Sequence, residues 1–92
     1  MPQVRWDVIF SGRVQGVGFR YTASRIAGAH PVSGWVRNEP DGSVRCVVEG
    51  DEPAVRRFIE EIRSAMSRNI REMRVDPLPA TGEFGGFFEI RR

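Results

Sequence analysis

Between residues 4 and 11 the apolar side chains Val4, Trp6, Val8 and Phe10 alternate with Arg5, Asp7, Ile9 and Ser11. A period of two is that of a strand with one well-buried face, and this one runs directly into a glycine-rich stretch. Beyond it the period changes. Phe19, Ala23, Ile26 and Ala27 recur at helical spacing, and Gly28 with Pro31 supplies a stop. A second strand is expected over Val32 to Arg37, after which Pro40-Asp41-Gly42 turns the chain back into Ser43 to Glu49, where Val44, Cys46 and Val48 share a face. Asp51 is placed to cap a second helix, with Pro53 in its first turn and Val55, Phe58, Ile59, Ile62 and Met66 forming an apolar stripe. The opposite face, with Arg56, Arg57, Glu60, Glu61 and Arg63, is expected in solvent. A fourth strand is expected near Ile70 to Val75, ended by Pro77 and Pro79. The aromatic, glycine-interrupted Phe84 to Ile90 fits a short edge strand.

The order is therefore β-α-β-β-α-β plus a short terminal strand, an α+β arrangement with two helices on one face of a mostly antiparallel sheet. The first helix joins strands that run the same way, so the end of strand two returns to the level of the glycine loop. Asn38 sits at that end. If the third strand inserts between the first two, Asn38 lies two strand spacings, about 9–10 Å, from the loop rim.

Composition narrows the chemistry. The chain has 92 residues, 40% hydrophobic and 28% charged, which fits one globular domain and argues against disorder. No apolar run approaches the roughly 20 residues that span a bilayer, and the first residues hold no signal-peptide apolar region, so no membrane partner and a cytoplasmic location are expected. Cys46 is the one cysteine, which excludes an intrachain disulfide and a cysteine-built zinc site. All 14 basic residues are arginine, removing lysine Schiff-base chemistry and the lysine of a Walker-type loop. Net charge is +2, so the high pI owes more to arginine's pKa than to a large basic field.

The stretch Gly12-Arg13-Val14-Gln15-Gly16-Val17-Gly18-Phe19-Arg20 sets three glycines and two arginines between a strand and a helix start. Glycine permits positive φ, successive N–H groups in such a turn form an anion-binding concavity, and the helix dipole adds to it. Arg20 supplies a guanidinium fork able to grip phosphate oxygens. Taken alone, a Gly-rich loop is more often just a turn. Arg20 has an alternative as a surface or ion-paired residue, and Asn38 as a turn former before Pro40. His30, without cysteine or carboxylate at ligand spacing, reads as structural, and Cys46 as a small buried hydrophobe. The rings of Trp6 and Trp35 are expected to pack on the sheet or its loops.

Two separate stretches resemble one family. Gly12 to Arg20 resembles the first signature of the acylphosphatases, and Gly34-Trp35-Val36-Arg37-Asn38, with Gly42, Val44 and Gly50 at matching offsets, resembles the second. Thr81-Gly82-Glu83-Phe84-Gly85-Gly86 is similar to the usual bacterial ending. The resemblance spans almost the whole chain and implies a ferredoxin-like fold. It also implies hydrolysis of the carboxyl–phosphate bond of acyl phosphates, with no metal and no cofactor. Carried over by position, Arg20 would bind the phosphoryl group, Asn38 would hold the attacking water, and the backbone of Gln15, Gly16, Val17, Gly18 and Phe19 would form the phosphate-binding loop.

Three features depart from the family pattern. Glu39 puts a carboxylate beside Asn38, Phe87-Phe88 adds an aromatic that leaves the last strand's register open, and Ser64 to Asn69 lacks the familiar loop composition. The expected partner is a small-molecule acyl phosphate, with no nucleic acid, and the protein is expected as a monomer. The chain length argues against a domain of a larger maturation enzyme. A competing class is an RNA-recognition module of the same element order, but such modules stack bases on aromatics of their central strands, and Ser43 to Glu49 has none. A catalytically silent anion- or partner-binding domain is the other alternative.

Overall fold

The alternation and the helical stripes become seven elements in the computed structural model, which describes residues 2–92. They are β1 (Gln3–Gly12), α1 (Phe19–Ala27), β2 (Val32–Asn38), β3 (Val44–Asp51), α2 (Glu52–Ala65), β4 (Ile70–Pro79) and β5 (Phe88–Arg91). The sheet order is β4-β1-β3-β2-β5, so β3 does insert between β1 and β2. Three pairings are antiparallel and one, β2 with β5, is parallel. One sheet face supplies Val8, Phe10, Val36, Val44, Cys46 and Val48 to the core, and α1 and α2 cover it with Phe19, Ala23, Ile26, Val55, Phe58, Ile59 and Ile62. This is the βαββαβ ferredoxin-like sandwich, and burying these side chains is its main stabilising term.

Three local expectations change, and one open register closes. Pro77 and Pro79 do not end β4, which runs through both to pair with Trp6 and Val4. β4 is an edge strand, and residues two apart direct their main-chain N the same way, so both prolines fit where an N–H would face outward. Asp51 occupies the N-cap of α2 but makes no side-chain cap; its carboxylate instead accepts a hydrogen bond from Gln3 Nε2 at 2.5 Å. Of the tail, Phe84 to Phe87 forms a turn, and only Phe88–Arg91 forms the strand. The extra aromatic resolves by burial. Phe87 is 77% exposed, whereas Phe88 pairs with Gly34 and packs edge-on against Phe58 at 5.4 Å.

Other side chains hold the frame. His30 Nε2 lies 2.8 Å from Glu61 Oε1, tying the α1–β2 connection to α2. Burial pushes the Cys46 thiol far up in pKa, in keeping with an inert core residue. Trp35 lies on the uncovered face of the sheet yet is only 7% exposed, because the guanidiniums of Arg37, Arg45 and Arg91 stand 4.7, 5.5 and 4.7 Å from its ring centroid. Trp6 is half-buried on the helix side, beneath Arg56.

Candidate active site

The loop between β1 and α1 is pinned at three points. Arg13 N donates to Asn69 O at 2.9 Å, Val14 is buried beneath the loop, and the Gln15 carboxamide donates to Glu39 O at 2.7 Å and Ser43 O at 2.9 Å. Those two carbonyls belong to the β2–β3 turn, which the Asp41 carboxylate shapes by accepting from Ser43 N and Ser43 Oγ. One amide side chain thus locks the glycine loop to the turn that follows Asn38.

Gly16 and Gly18 have φ of 74° and 78°, left-handed values that curl the loop and that other residues rarely adopt. Gly18 is also the N-cap of α1, with no side-chain cap, and the first helical bond is Thr22 N to Gly18 O. From Gln15 to Tyr21, no main-chain N–H finds an acceptor among the described residues. Such a run of donors at a helix N-terminus favours an anion.

A cavity of about 800 Å³ opens against this run. Gly16, Gly18, Phe19, Arg20 and Asn38 line it, together with Val14, Tyr21, Ile90 and Arg92. Of the expected loop residues, Gln15 and Val17 do not line it: the Gln15 side chain is committed to the turn, and Val17 is 38% exposed. Arg20, half-buried, donates from Nη1 to Arg91 O at 3.0 Å, which ties the first turn of α1 to β5. Glu39, adjacent to Asn38 in sequence, turns to the other face of the sheet, where its carboxylate pairs with Arg37 at 3.0 and 3.3 Å and lines a separate depression beside Asp7 and Arg45. Among the described residues, two arginine side chains and no acidic side chain line the cavity. It is therefore an electropositive pocket, in which a pinned loop and a strand end face one another across a space that suits a tetrahedral anion. No cluster of three metal-ligating side chains occurs among the described residues.

The acylphosphatase family model matches residues 6–90. The chain belongs to the acylphosphatase family. An acylphosphatase of Aeropyrum pernix is 48% identical over 90 residues, covering 96% of this chain and 88% of that protein. The acylphosphatase of Chlorobaculum tepidum is 43% identical over 82 residues, covering 83% and 89%. The crystal structure of acylphosphatase from Bacillus subtilis superimposes with a TM-score of 0.85 at 30% identity, covering 97% of this chain and 99% of that one. Acylphosphatase activity, hydrolysis of small-molecule acyl phosphates, follows from this membership, and it displaces the silent-binding alternative. No helix among the described residues is long and apolar enough to cross a membrane.

Sequence reasoning missed the side-chain role of Gln15 and three acylphosphatase pocket residues, Tyr21, Ile90 and Arg92. Strand alternation carried from Phe88 through Ile90 to Arg92 holds the signal for the last two, once the register of β5 is known.

Proposed function

We propose that the phosphoryl group of an acyl phosphate is held by the main-chain amides of Gln15 to Phe19 and the guanidinium of Arg20, while the Asn38 carboxamide holds the attacking water in line. The observation that carries this reading is the run of unpartnered N–H groups, whose Gly16, Gly18, Phe19 and Arg20 line one cavity with Asn38. The water oxygen forms the new bond to phosphorus as the bond from phosphorus to the acyl oxygen breaks, and the carboxylate leaves with the electron pair. A carboxylate is a good leaving group, so the step needs neither a strong acid nor a covalent nucleophile; preorganised donors that spread charge and fix geometry suffice. A neutral carboxamide has no useful proton affinity near neutral pH, so the water proton passes to a phosphoryl oxygen of the substrate. No metal or cofactor is invoked.

We further assign this chemistry to a single domain over residues 1–92, acting as a cytoplasmic monomer without nucleic acid. On the uncovered sheet face β1 and β3 present Arg5, Asp7 and Ile9, and Arg45, Val47 and Glu49, with no aromatic, and the ring of Trp35 on β2 is covered by the guanidiniums of Arg37, Arg45 and Arg91.

Benzoyl phosphate hydrolysis with a chelator present tests the reading. The parent protein is expected to turn over. Arg20→Gln should lose about 10²–10³-fold in rate together with inhibition by inorganic phosphate, because it deletes the charge at the anion site. Asn38→Ala should lose about 10²-fold in kcat while phosphate inhibition is retained, since only water placement goes. Parent rates in both variants would overturn the assignment.

A further inference from the structure

The cavity has room for more than a phosphoryl group, since about 800 Å³ lies in the range of pockets that hold whole small ligands. The proposed phosphoryl and water sites use its loop, Arg20 and Asn38. Of the remaining wall, Val14 is buried, whereas the Tyr21 ring is 69% exposed. Tyr21 stands in the first turn of α1, directly after Arg20, and the helix faces the core with Phe19, Ala23, Ile26 and Ala27, a stripe that residue 21 does not share. The fold itself gains nothing from this ring. An aromatic at a solvent-facing helix position contributes neither burial nor helix propensity. One exposed aromatic is ordinary on a protein surface, but one that lines the same cavity as the anion cradle is covered when that cavity fills with an apolar group. Direction favours it as well. In an in-line displacement the acyl group leaves opposite the attacking water, hence away from Asn38 at the end of β2. Ile90, the other exposed apolar residue of the wall, lies on β5 in register with Val36 of that same β2. Tyr21 is carried by α1, and belongs neither to the water's strand nor to its neighbour.

We propose that Tyr21 is a specificity-determining residue whose ring lies along the acyl portion of the substrate, so that the enzyme favours acyl phosphates of aryl acids over acetyl phosphate. This rests on the phosphoryl group lying at Arg20 and the loop. The flat face of an aryl acyl group meets the Tyr21 ring in an offset or edge-on contact, and both lose surface to water. The contact forms in the ground state and persists through hydrolysis, so it acts mainly on KM.

The test compares benzoyl phosphate with acetyl phosphate, using the parent, Tyr21→Ala and Tyr21→Phe. The ratio of kcat/KM for benzoyl over acetyl phosphate is expected to fall about five-fold in Tyr21→Ala, through a higher KM for benzoyl phosphate, the size expected of one aromatic contact. Tyr21→Phe should keep most of the ratio, because it keeps the ring. A comparison of ratios cancels the two substrates' intrinsic reactivities and any general loss from imperfect folding. A ratio in Tyr21→Ala that is unchanged or higher, which includes an equal fall for both substrates, would overturn the proposal. So would a Tyr21→Phe that loses as much as Tyr21→Ala, since the effect would then belong to the hydroxyl. If Arg20→Gln hydrolyses both substrates at the parent rate, the phosphate site itself fails, and the proposal with it.

Discussion

Arg20 has two duties that share one guanidinium. Its Nη1 donates to the carbonyl of Arg91, and that bond fixes the side chain so the rest of the fork can face the cavity without paying the full ordering entropy on binding. Gln15 does comparable work for the backbone. Its two bonds to Glu39 O and Ser43 O join the loop to the turn that bears Asn38, so phosphate cradle and water site share one anchor. Gln15→Ala should cost about 1–2 kcal/mol of stability for two lost hydrogen bonds. It should also weaken phosphate inhibition and lower kcat together, unlike Asn38→Ala. Steady-state kinetics with phosphate as inhibitor checks this, and a variant that loses stability alone would show that the lock has no part in catalysis. Legibility at this scale was uneven. The glycines, Arg20 and Asn38 stand out by residue type and position, but a glutamine whose partners are main-chain carbonyls 24 and 28 residues away leaves no local trace.

Among the elements, β5 carries the heaviest consequences for its length. Its four residues supply the Arg91 carbonyl that steadies Arg20 and the Ile90 side of the cavity, and Phe88 anchors it on Phe58. Two adjacent aromatics cannot both point inward from a strand start, and here Phe88 does. Phe88→Ala should destabilise by about 2 kcal/mol or more, while Phe87→Ala should stay within about 0.5 kcal/mol. Urea midpoints decide between them, and the reverse order would mean that the strand has slipped by one residue. The sequence pattern placed β1 to β3 and both helices by their apolar periods, found β4 and β5 from weaker signals, and misjudged ends where tertiary position decides. β4 outlasts its prolines because it lies at an edge, a fact about neighbours that no local pattern contains.

Across the molecule, the buried Glu49 ties β3 to the segment leading into β5. Burial alone would raise its pKa, but hydrogen bonds from Thr81 N, Gly82 N, Arg5 and Thr81 Oγ together outweigh that and hold it below the ordinary glutamate value. A depressed folded-state pKa gives stability that is fully present above the unfolded value of about 4.3 and is lost as pH falls through the folded value. The urea midpoint should therefore hold steady from neutral pH down to about 5 and fall below about 4. Glu49→Gln should be less stable at neutral pH and show a shallower acid decline; an equally steep decline would place the titration elsewhere. The level of Asn38 was legible in the sequence, since the crossover helix brings the end of β2 back to the loop's level, whereas the insertion of β3 between β1 and β2 stood only as a condition until the sheet order was seen. The wall formed by Ile90 and Arg92 was not legible, because it depends on a parallel pairing between β2 and β5, residues more than fifty positions apart.

Amide-resolved NMR titration with inorganic phosphate tests the collar of main-chain donors most directly. The N–H resonances of Gly16 to Arg20 and the Asn38 side-chain amide should shift together and saturate in the parent, and the same titration of Arg20→Gln should leave them nearly still. Saturable shifts confined to other segments, or an unaltered response in Arg20→Gln, would contradict the phosphate site.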